Sequence, residues 1–488
     1  MTARRDVGDF EAVIGIETHV ELQTASKMFC GCPVSFGAEP NTTCCPTCLG
    51  LPGALPVPNE QAIEGILRIG AALGCELVPY SEFHRKNYFY PDLPKNYQIS
   101  QYDLPLCVAG RIEVDVDGET AVVGITRVHM EEDTGKSLHV GEGGRIADAD
   151  HTLLDFNRSG VPLVEIVSEP DLRTPEQARA YGAELQRIVR ALGVSDAKLE
   201  EGSMRFDANV SVRRSGTATL GTRSEVKNVN SLRSLQRAVA YEIERQVRLI
   251  ESGGAVVLET RHWNEDTGVT TAMRSKEESQ DYRYFQEPDL VPIEVDDAWR
   301  ARVAASLPEL PATTRARYRA LGVDARTAST LGDDPALVAL MDDAVAAGAD
   351  PRLCAIWLTG EVVAYLRRED VALDATPLQG AHLVELASMV GAGDLSATAA
   401  KEVLAGVMSG EGGPRGVAEQ RDLIQISDAA VIEAAVDAVL ADNEDAVAKL
   451  RAGDPKPLGF LVGQVMRATG GKADPKLVST LITARTAG

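Results

Sequence analysis

The sequence predicts an α+β region over residues 1–295 followed by two all-helical regions, 296–408 and 409–488. Three observations carry that reading. At 488 residues the chain is too long for one ordinary core, so two or three domains are expected. Up to about residue 295 it reads as short alternating strands and tight turns with a few helices, in no regular strand–helix order. From DLVPIEVDDAWRARV onward it is rich in Ala, Leu and Val at helical spacing, interrupted by LPELP, GDDP, GADP and the GEGGP run at 410–414.

In chain order, VIGIETHVEL places Ile14, Ile16, Thr18, Val20 and Leu22 on one side of a strand. Val13, Gly15, Glu17, His19 and Glu21 fall on the other. One face suits a core; the other offers carboxylate, imidazole, carboxylate. FCGCPVSFGAEPNTTCCPTCLG follows, with Cys30-x-Cys32 and Cys45-x-x-Cys48, and Cys44 as a further neighbour. Two thiolate pairs around a short loop suit one tetrahedral zinc with every position filled, hence a structural rather than a catalytic ion. Cys75, Cys107 and Cys354 stand alone and are expected in the core.

NEQAIEGILRIGAALG is a predicted helix. RIEVDV and TAVVGITRV, separated by Asp-Gly-Glu, predict an antiparallel hairpin. HMEEDTGKS (129–137) ends like a phosphate-binding P-loop, but the glycine that loop requires five residues before Gly135 is Met130. The carboxylates Glu131, Glu132 and Asp133 are left as candidate metal ligands, and alternation alone does not choose among them. VPLVEIV holds Glu165 inside an apolar run, where an ionised carboxylate needs a cation, either a basic side chain or a metal. SMRFDANVSV repeats the first strand's logic, with Met204, Phe206, Ala208, Val210 and Val212 apolar and Arg205, Asp207, Asn209 and Ser211 opposite. NSLRSLQRAVAYEIERQVRLIESGG is a long helix with an Asn-Ser start and a Gly-Gly stop. Acidic groups on separate strands plus a histidine suit a hard divalent ion such as magnesium, which commonly shares itself with substrate phosphates.

The net charge of −23 argues against broad DNA binding, since phosphate neutralisation needs Lys and Arg. It leaves room for a local basic surface that reads a folded RNA by shape. Residues 449–488 carry seven cations against Asp454 and Asp474. Within them Gly459 and Gly463, four apart, would allow close approach to a helix, either by another helix or by a folded RNA. A mean hydropathy of −0.09 suits a soluble globular protein. The N-terminal MTARRDVGDFEAVIGIE has no apolar run after its arginines, and no stretch approaches a membrane span, so cytoplasm is the expected compartment and no membrane partner is expected.

LDFNRSGVPLVEIVSEPD (154–171), RKNYFYPDLPKNYQISQYDLP (85–105), HMEEDTGKS, EEGSMRFDANVS and DYRYFQEPDL (281–290) together resemble the B subunits of the bacterial aspartyl/glutamyl-tRNA amidotransferases, the GatB family, from Glu11 to the C-terminus. One departure is Gln286, where members usually carry proline. The resemblance implies a glutamine-synthetase-like catalytic cradle, a helical domain and a YqeY-like tRNA-binding tail. It implies ATP- and magnesium-dependent phosphorylation of the side-chain carboxylate on Glu-tRNA(Gln) or Asp-tRNA(Asn). Amidation with ammonia from a partner glutaminase would then yield Gln-tRNA(Gln) or Asn-tRNA(Asn). The implied partners are the family's amidase (GatA-type) and its small third component (GatC-type); DNA is not among them. By motif, the implied magnesium ligands are Glu17, His19, Glu132, Glu165 and Asp207, and the zinc ligands Cys30, Cys32, Cys45 and Cys48. Only the family selects Glu132 from its neighbours.

Phosphorylation turns a carboxylate oxygen into a good leaving group, and the work is mostly positioning and electrostatics. Lys136, Arg205 and Lys227 are the cations expected near phosphates, each with a surface ion pair as its alternative role. Tyr88, Phe89 and Tyr90 could stack on a base or anchor a loop. No Gly-Gly-Ser-Ser amidase stretch occurs, so a second protein is expected to supply ammonia.

Overall fold

The computed structural model describes residues 8–141, 149–275, 281–425 and 429–486. The chain divides into two compact units, Met1–Pro311 and Ala312–Gly488.

The first unit is organised by nine strands: β1 (Phe10–Glu21), β2 (Glu76–Leu77), β3 (Cys107–Val116), β4 (Glu119–Glu132), β5 (Pro162–Ser168), β6 (Met204–Arg214), β7 (Ser224–Val229), β8 (Glu259–Asn264) and β9 (Val269–Ser275). Their order across the sheet is β9-β8-β7-β6-β1-β5-β4-β3-β2. All neighbours are antiparallel except β7 and β8. β3 and β4 form the hairpin expected from their alternation, and Asp117 and Gly118 both take positive φ in its turn, 51° and 88°. That geometry matches the right-handed twist of the flanking strands, and Asp-Gly adopts it readily.

Three helices cover one face. α1 (Glu60–Ala72) starts where the Asn59 side chain accepts from the backbone N–H of Gln61 and Ala62. α2 (Pro175–Ala191) is capped by Thr174 with proline in its first turn, and α3 (Leu232–Glu251) by Ser231, with Gly253 at φ 84° just beyond its end. Ile14, Ile16 and Val20 of β1, Val164 and Ile166 of β5, and Phe206, Ala208 and Val210 of β6 pack beneath the helices in one apolar core, with Cys107 among them. The other face has no such helical cover from α1–α3, and it carries the polar residues of the central strands. A three-stranded sheet of His84–Asn87, Tyr97–Ser100 and Phe285–Gln286 stands beside it, where Lys86 reaches Glu131, and Lys136–Gly141 and Ala149–Asp155 form a separate antiparallel pair.

In the second unit every regular element among the described residues is helical. Its apolar side chains form two clusters, one spanning Tyr318 to Ala418 and including Cys354, the other Ile432 to Ile482. No helix among the described residues is long and apolar enough to cross a membrane.

Candidate metal and active site

Strand register assembles the polar face. β1 lies between β5 and β6, with His19 opposite Glu165 on one side and Glu17 opposite Asp207 on the other. Directly paired residues point to the same face, and neighbouring strands lie about 4.8 Å apart, so groups from β5, β1 and β6 meet within a shared shell. β4 pairs with β5 so that His129 faces Glu165. His129 and Glu131 share a face, being two residues apart.

Two acidic clusters result. Ligand atoms of His19, Glu131 and Glu165 lie within 4.8 Å of one another, and so do those of Glu17, Asp207 and Glu225. The donors are carboxylate oxygens plus one imidazole, which suits a hard divalent cation such as magnesium. Electrostatics fit as well. Burial pushes the Glu17 carboxyl above its usual range, and the charges of Glu165, Asp207 and Glu225 push it further. A cation among them would relieve that repulsion. Burial also opposes ionisation of Glu165, but His129, His19 and Lys86 outweigh it and hold the carboxyl well below the usual range. His129 Nε2 lies 3.2 Å from Glu165 Oε2, while its Nδ1 is buried with no hydrogen-bond partner.

Sequence left Glu131 as one of three candidates and passed over Glu225, although β-strand alternation in VHMEE and SEVKNV held the signal. Glu132, the ligand that the resemblance implies, belongs to neither cluster. Its carboxylate projects from the opposite side of β4, where it accepts from the Ile99 backbone N–H at 2.8 Å and pairs with the ammonium of Lys95. Asp133, past the end of β4, accepts from Arg205 Nη2 at 2.8 Å. Burial disfavours its charge, but Arg205 and Arg158 prevail and depress its pKa. The adjoining Glu21 is pushed up to about 8 by burial and by Asp133.

The candidate cations divide. Arg205 bonds Asp133 and also Glu21, at 3.2 Å. Lys227 Nζ lies 2.7 Å from Asp207 and 2.9 Å from Glu225, at the edge of the second acidic cluster. Lys136 is exposed at the start of its strand and in no ion pair among the described residues. Lys86, which carries no mark in the sequence, donates to Glu131 at 3.0 Å. Tyr88 is half-buried and donates to Gln98, as a loop anchor does, whereas Phe89 is 78% exposed.

Cys30, Cys32, Cys45 and Cys48 also converge, with all four sulfurs within 4.8 Å of one another. Cys48 Sγ lies 3.4, 3.7 and 3.9 Å from those of Cys30, Cys45 and Cys32. Tetrahedral Zn–S bonds of about 2.3 Å require sulfurs about 3.8 Å apart, so the set fits zinc. Hydrogen bonding from Cys30 brings the Cys48 thiol down to about 4 against the effect of burial, with help from the Cys45 backbone and the Lys27 charge. Cys44 stands apart, its thiol facing the Asn41 carbonyl at 3.4 Å.

On the Lys456–Ala468 helix, Gly459 and Gly463 are exposed, and a Cβ built at either meets nothing within 4 Å. They do not serve packing among the described residues. Phe460 between them is 51% exposed. Of the seven nearby cations, Lys472 pairs with Asp422, and Arg485 with Asp437 and Glu433. Lys449, Arg451, Lys456, Arg467 and Lys476 are in no ion pair among the described residues.

Comparison with known proteins agrees with this layout. Residues 12–301 match the GatB/GatE catalytic domain family, and residues 339–485 match the GatB domain family. The B subunit of an aspartyl/glutamyl-tRNA(Asn/Gln) amidotransferase from Moorella thermoacetica is 51% identical, covering 98% of this chain and 100% of its own. Proteins of the same name from Frankia casuarinae and Thermosynechococcus vestitus are 51% and 50% identical, over 98% and 97% of this chain and 95% and 96% of theirs.

Proposed function

This chain belongs to the GatB family of tRNA-dependent amidotransferase B subunits, and from that premise we propose that it activates and amidates the amino acid on misacylated tRNA. The substrate is Glu-tRNA(Gln), Asp-tRNA(Asn) or both. A side-chain carboxylate oxygen takes the γ-phosphoryl group of ATP, releasing ADP. Ammonia nitrogen then bonds to the acyl carbon, the C–O bond to phosphate breaks, and phosphate and a proton leave. The observation that carries the proposal is the convergence of Glu17, His19, Glu131, Glu165, Asp207 and Glu225 from adjacent strands on one sheet face.

Magnesium bound in the two acidic clusters would offset phosphate charge during transfer. Glu131 replaces Glu132 in this ligand set. Lys227 and Arg205 are held by their carboxylate partners near the cage, where a donor can turn to a phosphate oxygen with little reorganisation. Lys136, exposed nearby in sequence, is the third phosphate-facing candidate. The polar face acts as the cradle of a glutamine-synthetase-like fold over residues 1–295, followed by the helical region 296–408 and the YqeY-like tail from 409. The tail meets tRNA through the glycine face of the Lys456–Ala468 helix, and Lys449, Arg451, Lys456, Arg467 and Lys476, in no ion pair among the described residues, suit a phosphate backbone. Ammonia comes from a GatA-type amidase, a small GatC-type protein completes the cytoplasmic complex, and zinc in the four-cysteine site is structural.

The test combines the chain with its amidase partner, ATP, magnesium, glutamine and Glu-tRNA or Asp-tRNA. Amidated tRNA and ADP are expected together. ATP turnover on free glutamate without tRNA would point instead to a ligase for small acids. Undiminished amidation by Glu165→Ala and Asp207→Ala would remove the acidic clusters from the chemistry.

A further inference from the structure

The cysteine site holds one charged residue more than metal ligation requires. Lys27 is 1% exposed, among the largest fully buried side chains of the chain. Its ammonium donates to Cys48 Sγ at 3.5 Å and to the Phe156 carbonyl at 3.4 Å. Among the described residues it forms no ion pair with a carboxylate. An ammonium removed from water is strongly disfavoured unless an anion faces it. Four thiolates around a dication carry two surplus negative charges, which are disfavoured in the same way. Each is the other's remedy.

We propose that Lys27 is the resident counter-cation of the zinc site, offsetting its surplus negative charge and shielding the Cys48 sulfur from electrophiles. The inference rests on the reading that the four cysteines hold zinc. Cys48 is tied twice to the segment that follows Asp155. Lys27 bridges its sulfur to Phe156, and Ser159 Oγ donates to its carbonyl at 3.3 Å. Next along, Met28 N–H donates to the Gly160 carbonyl at 2.8 Å, and Gly160 N–H to that of Asp133 at 2.9 Å. The charge-balanced site therefore braces the turn that leads into β5, the strand of Glu165. Lys27 acts through Cys48 and this turn, so it is a positioning residue.

The experiment compares the zinc-loaded full chain with its Lys27→Gln and Lys27→Arg variants, without tRNA or ATP. Zinc content is measured by metal analysis, release by transfer to a chromogenic chelator, and Cys48 exposure by iodoacetamide labelling and peptide mapping. Loss of a group supporting a metal ligand commonly weakens binding by about 10–100-fold, so Lys27→Gln is expected to release zinc roughly tenfold faster or more. Its Cys48 should also alkylate faster. Lys27→Arg keeps the charge and should retain zinc to within about threefold of the parent chain, well short of that loss. Release from Lys27→Gln at the parent rate overturns the proposal, as does equal leakage from Lys27→Arg. A parent chain purified without zinc overturns it together with its premise. Should Lys27→Gln not fold, a folded Lys27→Arg with parental retention upholds the charge requirement, and an unfolded one overturns it. None of these readouts depends on amidation, so the failure of one reading leaves the other standing.

Discussion

Replacing both Gly459 and Gly463 with alanine should move stability and RNA affinity in opposite directions. Both lie inside the Lys456–Ala468 helix, and an added Cβ at either meets no atom within 4 Å. Neither has a positive φ, so alanine fits without strain. Glycine in a helix interior costs about 0.5–1 kcal/mol relative to alanine, so the double change should stabilise the helix by about 1–2 kcal/mol. For a unit of this size about 1 kcal/mol shifts Tm by roughly 2–4 °C, which predicts a rise of about 2–8 °C in the transition of the helical unit. If tRNA packs against the bare helix backbone, two methyl groups hold it off. Overpacking of a close contact typically costs about 1–3 kcal/mol, a loss of roughly fivefold or more in affinity. Thermal melting by circular dichroism reads the first effect, and fluorescence anisotropy with labelled tRNA at fixed ionic strength reads the second. A higher Tm with unchanged tRNA affinity would refute the glycine face as a contact surface. A lower Tm would refute the packing argument itself.

Glu131→Gln and Glu132→Gln should separate chemistry from structure. The first is expected to cut amidation by about 100-fold or more, as loss of a key electrostatic group does, and to cost less stability than the second, because Lys86 keeps Glu165 as an anionic neighbour; the second, by breaking the buried pair with Lys95, should destabilise the fold by about 3–5 kcal/mol. The reverse pattern in an amidation assay and a melt would return the ligand role to Glu132. Treatment with a strong chelator, or the change Cys45→Ser, should lower the melting temperature of the first unit, because a metal held by the four cysteines would tie residues 30–48 together; an unchanged melt would reduce the cysteines to passengers. The raised pKa of Glu21 predicts a pH effect. Its carboxyl is ionised above about 4.5 in the unfolded chain but stays protonated to about 8 in the fold. The folded state therefore binds the extra proton in this window, and the Glu21 contribution falls as pH rises through it. In metal-free buffer, Glu21→Gln should gain stability over the parent from pH 5 to 8 and level off above; a flat difference in chemical denaturation would contradict the assignment.

Legibility differed from element to element. Alternation in VIGIETHVEL and SMRFDANVSV was enough to place Glu17, His19 and Asp207 opposite the core, since a strand has only two faces. Glu165 stood out because a charge in an apolar run needs a partner. The turn and capping residues at Asp117-Gly118 and Ser231 act through their immediate neighbours, so local sequence exposed them. At the end of β4 the same alternation offered Glu131 and Glu132 on opposite faces without saying which face was which. Family likeness chose Glu132, and the register of His129 against Glu165 turns Glu131 into the cluster instead. Glu225 escaped notice because SEVKNV is short and mixed, so the alternation that sets Glu225 opposite Val226 runs over only a few residues. The glycine pair was ambiguous for another reason: small residues permit close approach without naming what approaches.

By itself, then, the order of residues determined periodicity, capping, the paired cysteine spacings and the need of Glu165 for a positive neighbour, because each depends on a few consecutive positions. Tertiary structure decided which strands lie side by side, and hence which acids cluster, which lysines answer them and why Lys27 is buried beside Cys48. Those contacts join residues as far apart in sequence as Glu17 and Glu225. Their energies depend on distance through space and on exclusion of water, and neither quantity exists until the chain has folded.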